Sequence, residues 1–144
     1  VTPEPLRLRE LLARLLEAEV RFVLVGGLAV NAWGYLRATR DIDLVPEPSA
    51  ENLGALDEVL RELGGKGTGD RTLVATDLGQ VDVLQGLPQI PSFAVLDAAA
   101  TDVDLDGLTI RVCSLDHLLA MKRASDRPRD RDDLEALEAT QGDA

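Results

Sequence analysis

The sequence predicts an α/β chain: a small mixed sheet of the α+β kind, with helices packed on it and two further helices at the C-terminus. Three observations carry that prediction. Short apolar runs such as Phe22 to Val25 and Leu108 to Val112 are rich in β-branched residues, as buried strands are. Between them, leucines recur at the three- and four-residue spacing of amphipathic helices. Tight-turn residues join two of the strand-like pairs into hairpins.

Leu8, Leu11, Leu12, Leu15 and Leu16 make Pro5 to Ala18 an amphipathic helix. Phe22 to Val25 is a buried strand that ends at Gly26-Gly27, and Leu28 to Trp33 follows as a helix stopping near Gly34. Ile42, Leu44 and Val45, interleaved with Asp41 and Asp43, form a second strand closed by Pro46 and Pro48. Ser49 caps a helix carrying Leu53, Leu56, Leu60 and Leu63, which Gly64-Gly65 terminates. Arg71 to Ala75 and Gln80 to Leu84 read as a hairpin around Thr76 to Gly79. After a loop marked by Pro88 and Pro91, Phe93 to Ala99 reads as a helix. Val103 and Leu105 pair across Asp106-Gly107 with Leu108 to Val112. Ser114 caps a helix through Ala124, and Pro128 opens the last helix, which runs to about Ala139 with Thr140 to Ala144 frayed. There is no internal repeat.

With 144 residues, 45% of them hydrophobic, the chain fits one domain over residues 1–144. Its core spans about 20–86 and its C-terminal helical part about 114–139. No run approaches a membrane span, and the N-terminus does not look like a signal peptide. The net charge, 15 − 26 = −11, argues against binding DNA by bulk charge, which needs a basic face. It leaves open an anionic partner carried by a metal ion. The single cysteine, Cys113, excludes an internal disulfide or a zinc cage and suits a reducing cytoplasm.

The chemistry concentrates in two stretches. In the first, a strand runs into Gly26-Gly27 and then a helix, which brings bare backbone N–H groups to a positive helix end that can cradle a phosphate. In the second, Asp41 and Asp43 leave the same face of a strand, roughly 6.5 Å apart along it. Two carboxylates so placed repel unless a cation sits between them, and Mg²⁺ favours such oxygen pairs. Asp82, inside the strand-like run Val81 to Leu84, is the candidate third carboxylate of a two-metal site. There one ion would activate an acceptor hydroxyl and the other would hold a triphosphate and its leaving pyrophosphate. An Asp-x-Asp alone is more often a solvated face, and a Gly-Gly alone a turn. Their order and spacing, with the later aspartate, favour a site.

Gly26-Gly27 with Arg37-x-Thr39-x-Asp41-x-Asp43 resembles the core signature of the nucleotidyltransferase superfamily, the DNA polymerase β-like fold. The chain is most similar to its small AbiEii-like branch, associated with toxin–antitoxin systems. The stretch Ser114 to Lys122, then Asp126 to Asp130 and Asp132-Asp133-Leu134, is similar to the lysine helix and Arg-Pro-x-Asp helix of that branch. The resemblance covers about residues 20–137 and implies a nucleotidyltransferase-like core. It further implies a Mg²⁺-dependent enzyme that moves a nucleoside monophosphate from an NTP (ATP, CTP, GTP or UTP) to a hydroxyl. Gly26, Gly27, Arg37, Thr39 and Lys122 would then bind nucleotide, and Asp41, Asp43 and Asp82 would carry the metals and the catalysis. The acceptor stays open among a tRNA 3′ end, a protein and a small molecule. This chain has Gly-Gly where the commonest superfamily signature has Gly-Ser, and so lacks a phosphate-binding hydroxyl. The alternative is therefore a catalytically weak binding module that acts through a protein partner such as a cognate toxin or antitoxin.

Other residues invite simpler readings. Lys122 divides between a phosphate contact and a solvated surface cation. Arg37 and Arg40 divide between phosphate or acceptor and nearby carboxylates. Arg123, Arg127, Arg129 and Arg131 form a local basic patch open to an RNA or nucleotide contact, but their alternation with Asp126, Asp130, Asp132 and Asp133 favours a self-paired helix surface. Asp130 divides between a functional role through the family resemblance and a first-turn acid, the simpler reading. His117 has no metal-ligand companion, and Trp33 and Tyr35 suit packing. Asp102-x-Asp104-x-Asp106-Gly107 imitates a calcium loop, but its twelfth position is Cys113 and its flanks are strands, so it is not one.

Overall fold

The computed structural model describes residues 4–34, 41–69, 72–125 and 127–142. Arg37 and Thr39, with Tyr35, Arg40, Arg71 and Asp126, lie outside the described residues.

The chain runs α1 (Glu4–Glu17), β1 (Phe22–Val25), α2 (Gly26–Ala32), β2 (Asp41–Pro46), α3 (Ala50–Glu62), β3 (Lys66–Gly67), β4 (Leu73–Thr76), β5 (Gly79–Val83), α4 (Phe93–Ala99), β6 (Thr101–Leu105), β7 (Leu108–Val112), α5 (Leu115–Ser125) and α6 (Pro128–Gly142). Side-chain caps start three of the helices. Ser49, Ser92 and Ser114 accept from the backbone N–H of Asn52, Val95 and His117, each satisfying a donor the helix itself leaves open. The turns follow the predicted chemistry: Gly107 takes φ +86 after Asp106, and Asp104 Oδ1 accepts from Gly107 N–H at 2.7 Å.

Among the described residues the sheet has seven strands in the order β3-β4-β5-β2-β1-β7-β6. It is mixed: β2 pairs parallel with β5 and β1 with β7, while the remaining neighbours are antiparallel. The parallel β2–β5 pair needs a long crossover, which α3 and the β3–β4 excursion supply. Register puts Leu24, Ile42, Leu44, Val81 and Val112 on one face of the central strands, all fully buried. Burial on that scale, at about 25 cal/mol per Å² of apolar surface, holds the central strands in place.

Two features differ from the sequence reading. The strand β3 is two residues long and includes a glycine, so propensity does not reveal it. It exists because Lys66 and Gly67 find Ala75 and Val74 opposite them. The last helix extends to Gly142, past the expected end near Ala139. Asn52 is a buried polar residue that the sequence did not single out. Its Oδ1 accepts from Arg21 N–H at 2.7 Å, and its Nδ2 donates to the Arg21 and Glu47 carbonyls at 2.9 and 2.8 Å. It thereby ties α3 to the lower ends of β1 and β2.

Candidate active site

The site forms where β1 ends and β2 begins. Val25 pairs with Asp43 across the antiparallel β1–β2 ladder, and Asp43 pairs with Asp82 across the parallel β2–β5 ladder. Directly paired residues share a sheet face, with strands about 4.8 Å apart. Asp41, Asp43 and Asp82 therefore project from one face, as the alternation of β2 predicts, with Gln80 opposite Asp41. Only the pairing of β2 with β5, strands nearly forty residues apart in sequence, brings Asp82 to Asp43.

Gly26 closes the site from the β1 side. It sits at φ +68, and a Cβ there would overlap the Oδ2, Cγ and Cβ atoms of Asp43. The first residue of α2 therefore has to be glycine on two counts, backbone and space. Gly27 is buried, and its N–H donates to the Asp43 carboxylate, so part of the predicted phosphate cradle serves to orient this aspartate. Gly26→Ala is expected to lower stability by about 1–3 kcal/mol and to displace Asp43. Thermal melts together with nucleotide titration would check both effects.

Burial, then the charges of Asp82 and Asp41, push the Asp43 carboxyl up to about 6, against the partial relief of the Gly27 hydrogen bond and the Lys122 charge. Asp82 Oδ1 is buried without a hydrogen-bond partner among the described residues. A hard divalent cation answers both conditions, because it pairs an orphaned oxygen and offsets like-charge repulsion. The donor set thus fits Mg²⁺. As the side chains stand, no group of three His, Cys, Asp or Glu among the described residues is gathered to hold an ion. Asp41 has an interaction of its own.

Behind the carboxylates lies a charge cluster joining α5 to α6. Lys122 Nζ reaches Asp130 Oδ1 and Asp133 Oδ2, each at 3.0 Å, with the lysine side chain 8% exposed and both aspartates 0%. Asp130 Oδ2 accepts from Arg127 Nε at 2.9 Å and from Arg127 N–H at 3.2 Å, bracing the first turn of α6. Burial works to raise the Asp130 carboxyl, but hydrogen bonds from Arg127, Ser125 and Lys122 overcome it and hold the group well below the usual carboxylate range. These positions correct the sequence reading. Lys122 is not a solvated surface cation, and Asp130 and Asp133 are not a solvated helix face. The interleaved charges of α6 conceal an inward-facing pair, because Asp130 and Asp133 lie three apart on one helical side.

The sheet face, α1, α5 and the start of α6 enclose a cleft of about 1090 Å³. It gathers Gly26, Gly27, Asp41, Asp43, Asp82 and Lys122, which are all the described residues that the sequence singled out for the site. It also brings in Arg7, Gln80, Gln89, Arg127 and Arg129, which the sequence reading either passed over or assigned to surface pairing. Their signal was absent because each depends on a neighbour distant in sequence. His117 stays apart from the carboxylates and has an unpartnered Nδ1 among the described residues. Cys113 is fully buried, which pushes its thiol up to about 12, and its carbonyl accepts from Trp33 Nε1 at 3.0 Å. Both Trp33 and Cys113 are packing residues.

Comparison with known proteins agrees with this architecture. The lincosamide antibiotic adenylyltransferase LnuA, solved with lincomycin bound, is similar at TM-score 0.71 and 17% identity, over 93% of this chain and 96% of that one. ANT(2″)-Ia in complex with adenylyl-2″-tobramycin is similar at TM-score 0.67 and 18% identity, over 98% and 96% of the two chains. An antigenic nucleotidyltransferase-like protein from Paracoccidioides brasiliensis gives TM-score 0.70 and 19% identity, over 97% and 77%. At such identities the likeness is one of fold. No curated protein sequence matches the chain. The family model described as "Nucleotidyl transferase AbiEii toxin, Type IV TA system" matches residues 10–142, nearly the whole chain. The fold, the carboxylate face and that match converge: this chain is a nucleotidyltransferase and belongs to the AbiEii toxin family.

Proposed function

We propose that the protein transfers a nucleoside monophosphate from an NTP to a hydroxyl acceptor, with Asp41, Asp43 and Asp82 holding Mg²⁺. One observation carries this reading: Asp82, with a buried and unpartnered Oδ1, lies directly across the sheet from Asp43 in a cleft that Gly26 and Gly27 enter. Mg²⁺ bound to these oxygens would neutralise phosphate charge and lower the pKa of the attacking hydroxyl. The acceptor oxygen forms a bond to the α-phosphorus, the α–β bridge bond breaks, and pyrophosphate leaves; the hydroxyl proton passes to a carboxylate or to water. The chain's own residues orient that exchange. Gly27 N–H and the tight turn at Gly26 hold Asp43 toward the cleft, which α5 and the start of α6 line.

The cleft, at about 1090 Å³, exceeds what a single drug-sized ligand fills, so an acceptor can sit beside the nucleotide. ANT(2″)-Ia and LnuA, whose structures contain adenylyl-2″-tobramycin and lincomycin, support ATP as donor and a small hydroxylated acceptor as the first to try. The family description supports a toxin role with a cognate antitoxin as protein partner. Dependence on NTP supports a cytoplasmic setting, and no described helix is long and apolar enough to cross a membrane.

Titration calorimetry with each NTP, with and without Mg²⁺, tests the site. Wild type is expected to bind only with Mg²⁺, and Asp41→Asn/Asp43→Asn and Asp82→Asn to lose that binding while keeping the fold. Transfer from α-labelled NTP to tRNA, protein and small hydroxylated acceptors then identifies the substrate. Full NTP binding in both variants would refute the carboxylate assignment.

A further inference from the structure

The cleft has two chemically different sides. Its described cations come from α1, α5, α6 and the α5–α6 junction. From β5 onward the lining changes: Leu78, Leu84, Leu87 and Ile90 face the cleft together with the amides of Gln80 and Gln89. Asp82 is the single charged residue between Leu78 and Ile90, and from Val83 to Leu96 the chain carries no charge at all, although 28% of its residues are charged.

The backbone fixes this wall in place. Alternation along β5 turns Gln80 and Asp82 to the same face, and the bond from Leu84 N–H to the Leu44 carbonyl at 2.9 Å carries that alternation on to Leu84. Gly86, at φ +73, then turns the chain, and Ile90 N–H donates to the Leu87 carbonyl at 3.1 Å around Pro88. Proline limits the alternatives open to the segment, so little ordering is left to do when a ligand arrives. Leu84 and Ile90 rest, partly buried, on the hydrophobic core. Leu87 is half-buried without packing on that core among the described residues. A leucine so placed loses the rest of its contact with water only when something enters the cleft.

Sheet order decides what enters there. Gly26 and Gly27 reach Asp43 from β1, and β5 lies on the other side of β2. In phosphoryl transfer the attacking and leaving oxygens lie roughly in line across the phosphorus. With pyrophosphate leaving on the glycine side, the acceptor attacks from the β5 side. Charge then narrows its class. Asp41, Asp43 and Asp82 face the metal, and Asp130 is taken by Lys122 and Arg127, so no described carboxylate of the cleft remains for the ammonium groups of a polycation. A nucleic-acid backbone needs cations along its path, and the β5 wall has none among the described residues.

We propose that the wall from β5 to Ile90 is the acceptor subsite, and that Leu87, Gln80 and Gln89 make it specific for an uncharged hydroxylated compound with an apolar face. This rests on the nucleotidyl-transfer reading. Leu87 covers the apolar face, the two amides hold neighbouring hydroxyls, and the reacting hydroxyl meets the α-phosphorus beside Asp82. On transfer the acceptor oxygen bonds to that phosphorus, pyrophosphate leaves with the electrons of the bridge bond, and the hydroxyl proton passes to a carboxylate or to water.

Calorimetry on protein saturated with Mg²⁺ and an α,β-methylene NTP, which cannot undergo transfer, tests the subsite. The probes are hexyl β-glucoside, glucose, tobramycin and deacylated tRNA. Wild type is expected to bind hexyl β-glucoside about tenfold or more tightly than glucose, the scale of burying two methylenes, and more tightly than tobramycin or tRNA. Leu87→Asn is expected to erase most of that preference while NTP affinity stays within about twofold. Gln89→Leu, at an exposed position, is expected to weaken both sugars alike by a few fold. Leu87→Asp is expected to gain affinity for tobramycin. Tighter binding of tobramycin or tRNA by wild type overturns the proposal, as does a preference for hexyl β-glucoside that is absent in wild type or unchanged in Leu87→Asn; in each case intact NTP binding leaves the nucleotidyl-transfer reading standing. Absence of NTP binding in wild type overturns both.

Discussion

Asp43→Asn is expected to abolish nucleotidyl transfer, by about a thousandfold or more, and at the same time to make the metal-free protein more stable at pH 8. The sign follows from the direction of the shift. The folded-state pKa of Asp43 is raised from 3.8 to about 6, first by burial and then by Asp82 and Asp41. The folded protein therefore binds this proton more tightly than the unfolded chain does. Stability rises as pH falls from about 6 towards 3.8, and above about 6 the ionised carboxylate costs up to about 3 kcal/mol. Asparagine keeps the shape without the charge. In EDTA at pH 8 the variant should melt about 3–8 °C above wild type, and the gap should close near pH 4. Mg²⁺ should raise the wild-type Tm and leave the variant's nearly unchanged, because binding to the folded state alone stabilises it. A variant no more stable than wild type at pH 8 would contradict the strain argument.

Lys122→Met should have the opposite effect on stability. It removes the cation from two aspartates that are 0% exposed. Leaving buried charge uncompensated costs about 3–5 kcal/mol, enough to lower a urea midpoint substantially. The pH dependence separates this from simple loss of packing. In wild type the Asp130 carboxyl is held low, so its contribution is present above the unfolded value of 3.8 and disappears as pH falls below it. In Lys122→Met the Asp130 carboxyl keeps its hydrogen bonds from Arg127 and Ser125 but loses that from Lys122, so it is held less low and the stability lost on acidification below 3.8 should be smaller than in wild type. Adding Asp130→Asn and Asp133→Asn should restore part of the loss. If the single variant is as stable as wild type, the cluster does not brace α5 against α6.

The helices and strands are legible in the sequence because their signals are local. The leucine spacing of α1, the β-branched run Phe22 to Val25 and the serine before α3 each act within one turn or one strand. The aspartate pair on β2 is legible for the same reason: alternation puts Asp41 and Asp43 on one face whatever the rest of the chain does. Asp82 stood out through its apolar setting, but its place beside Asp43 depends on the β2–β5 register, which no local pattern specifies. The burial of Lys122, Asp130 and Asp133 was hidden for a related reason. An alternation of arginines and aspartates looks the same whether one side of the helix is solvated or faces a buried lysine.

By itself the sequence determined most of the secondary elements, though not the two-residue β3, together with the break after β1 at Gly26-Gly27 and the placement of Asp41 and Asp43 on one strand face. All of these are consequences of steric and periodic constraints over a few residues. The tertiary structure alone decided which strands adjoin and which charges are buried. It also decided that arginines from α1 and the α5–α6 junction share one cleft with the aspartates. Long-range packing sets desolvation, and desolvation sets the Asp43 pKa and the strength of the Lys122 cluster. The order of residues specifies the parts of this site, and the burial of distant segments against one another gives them their charge states.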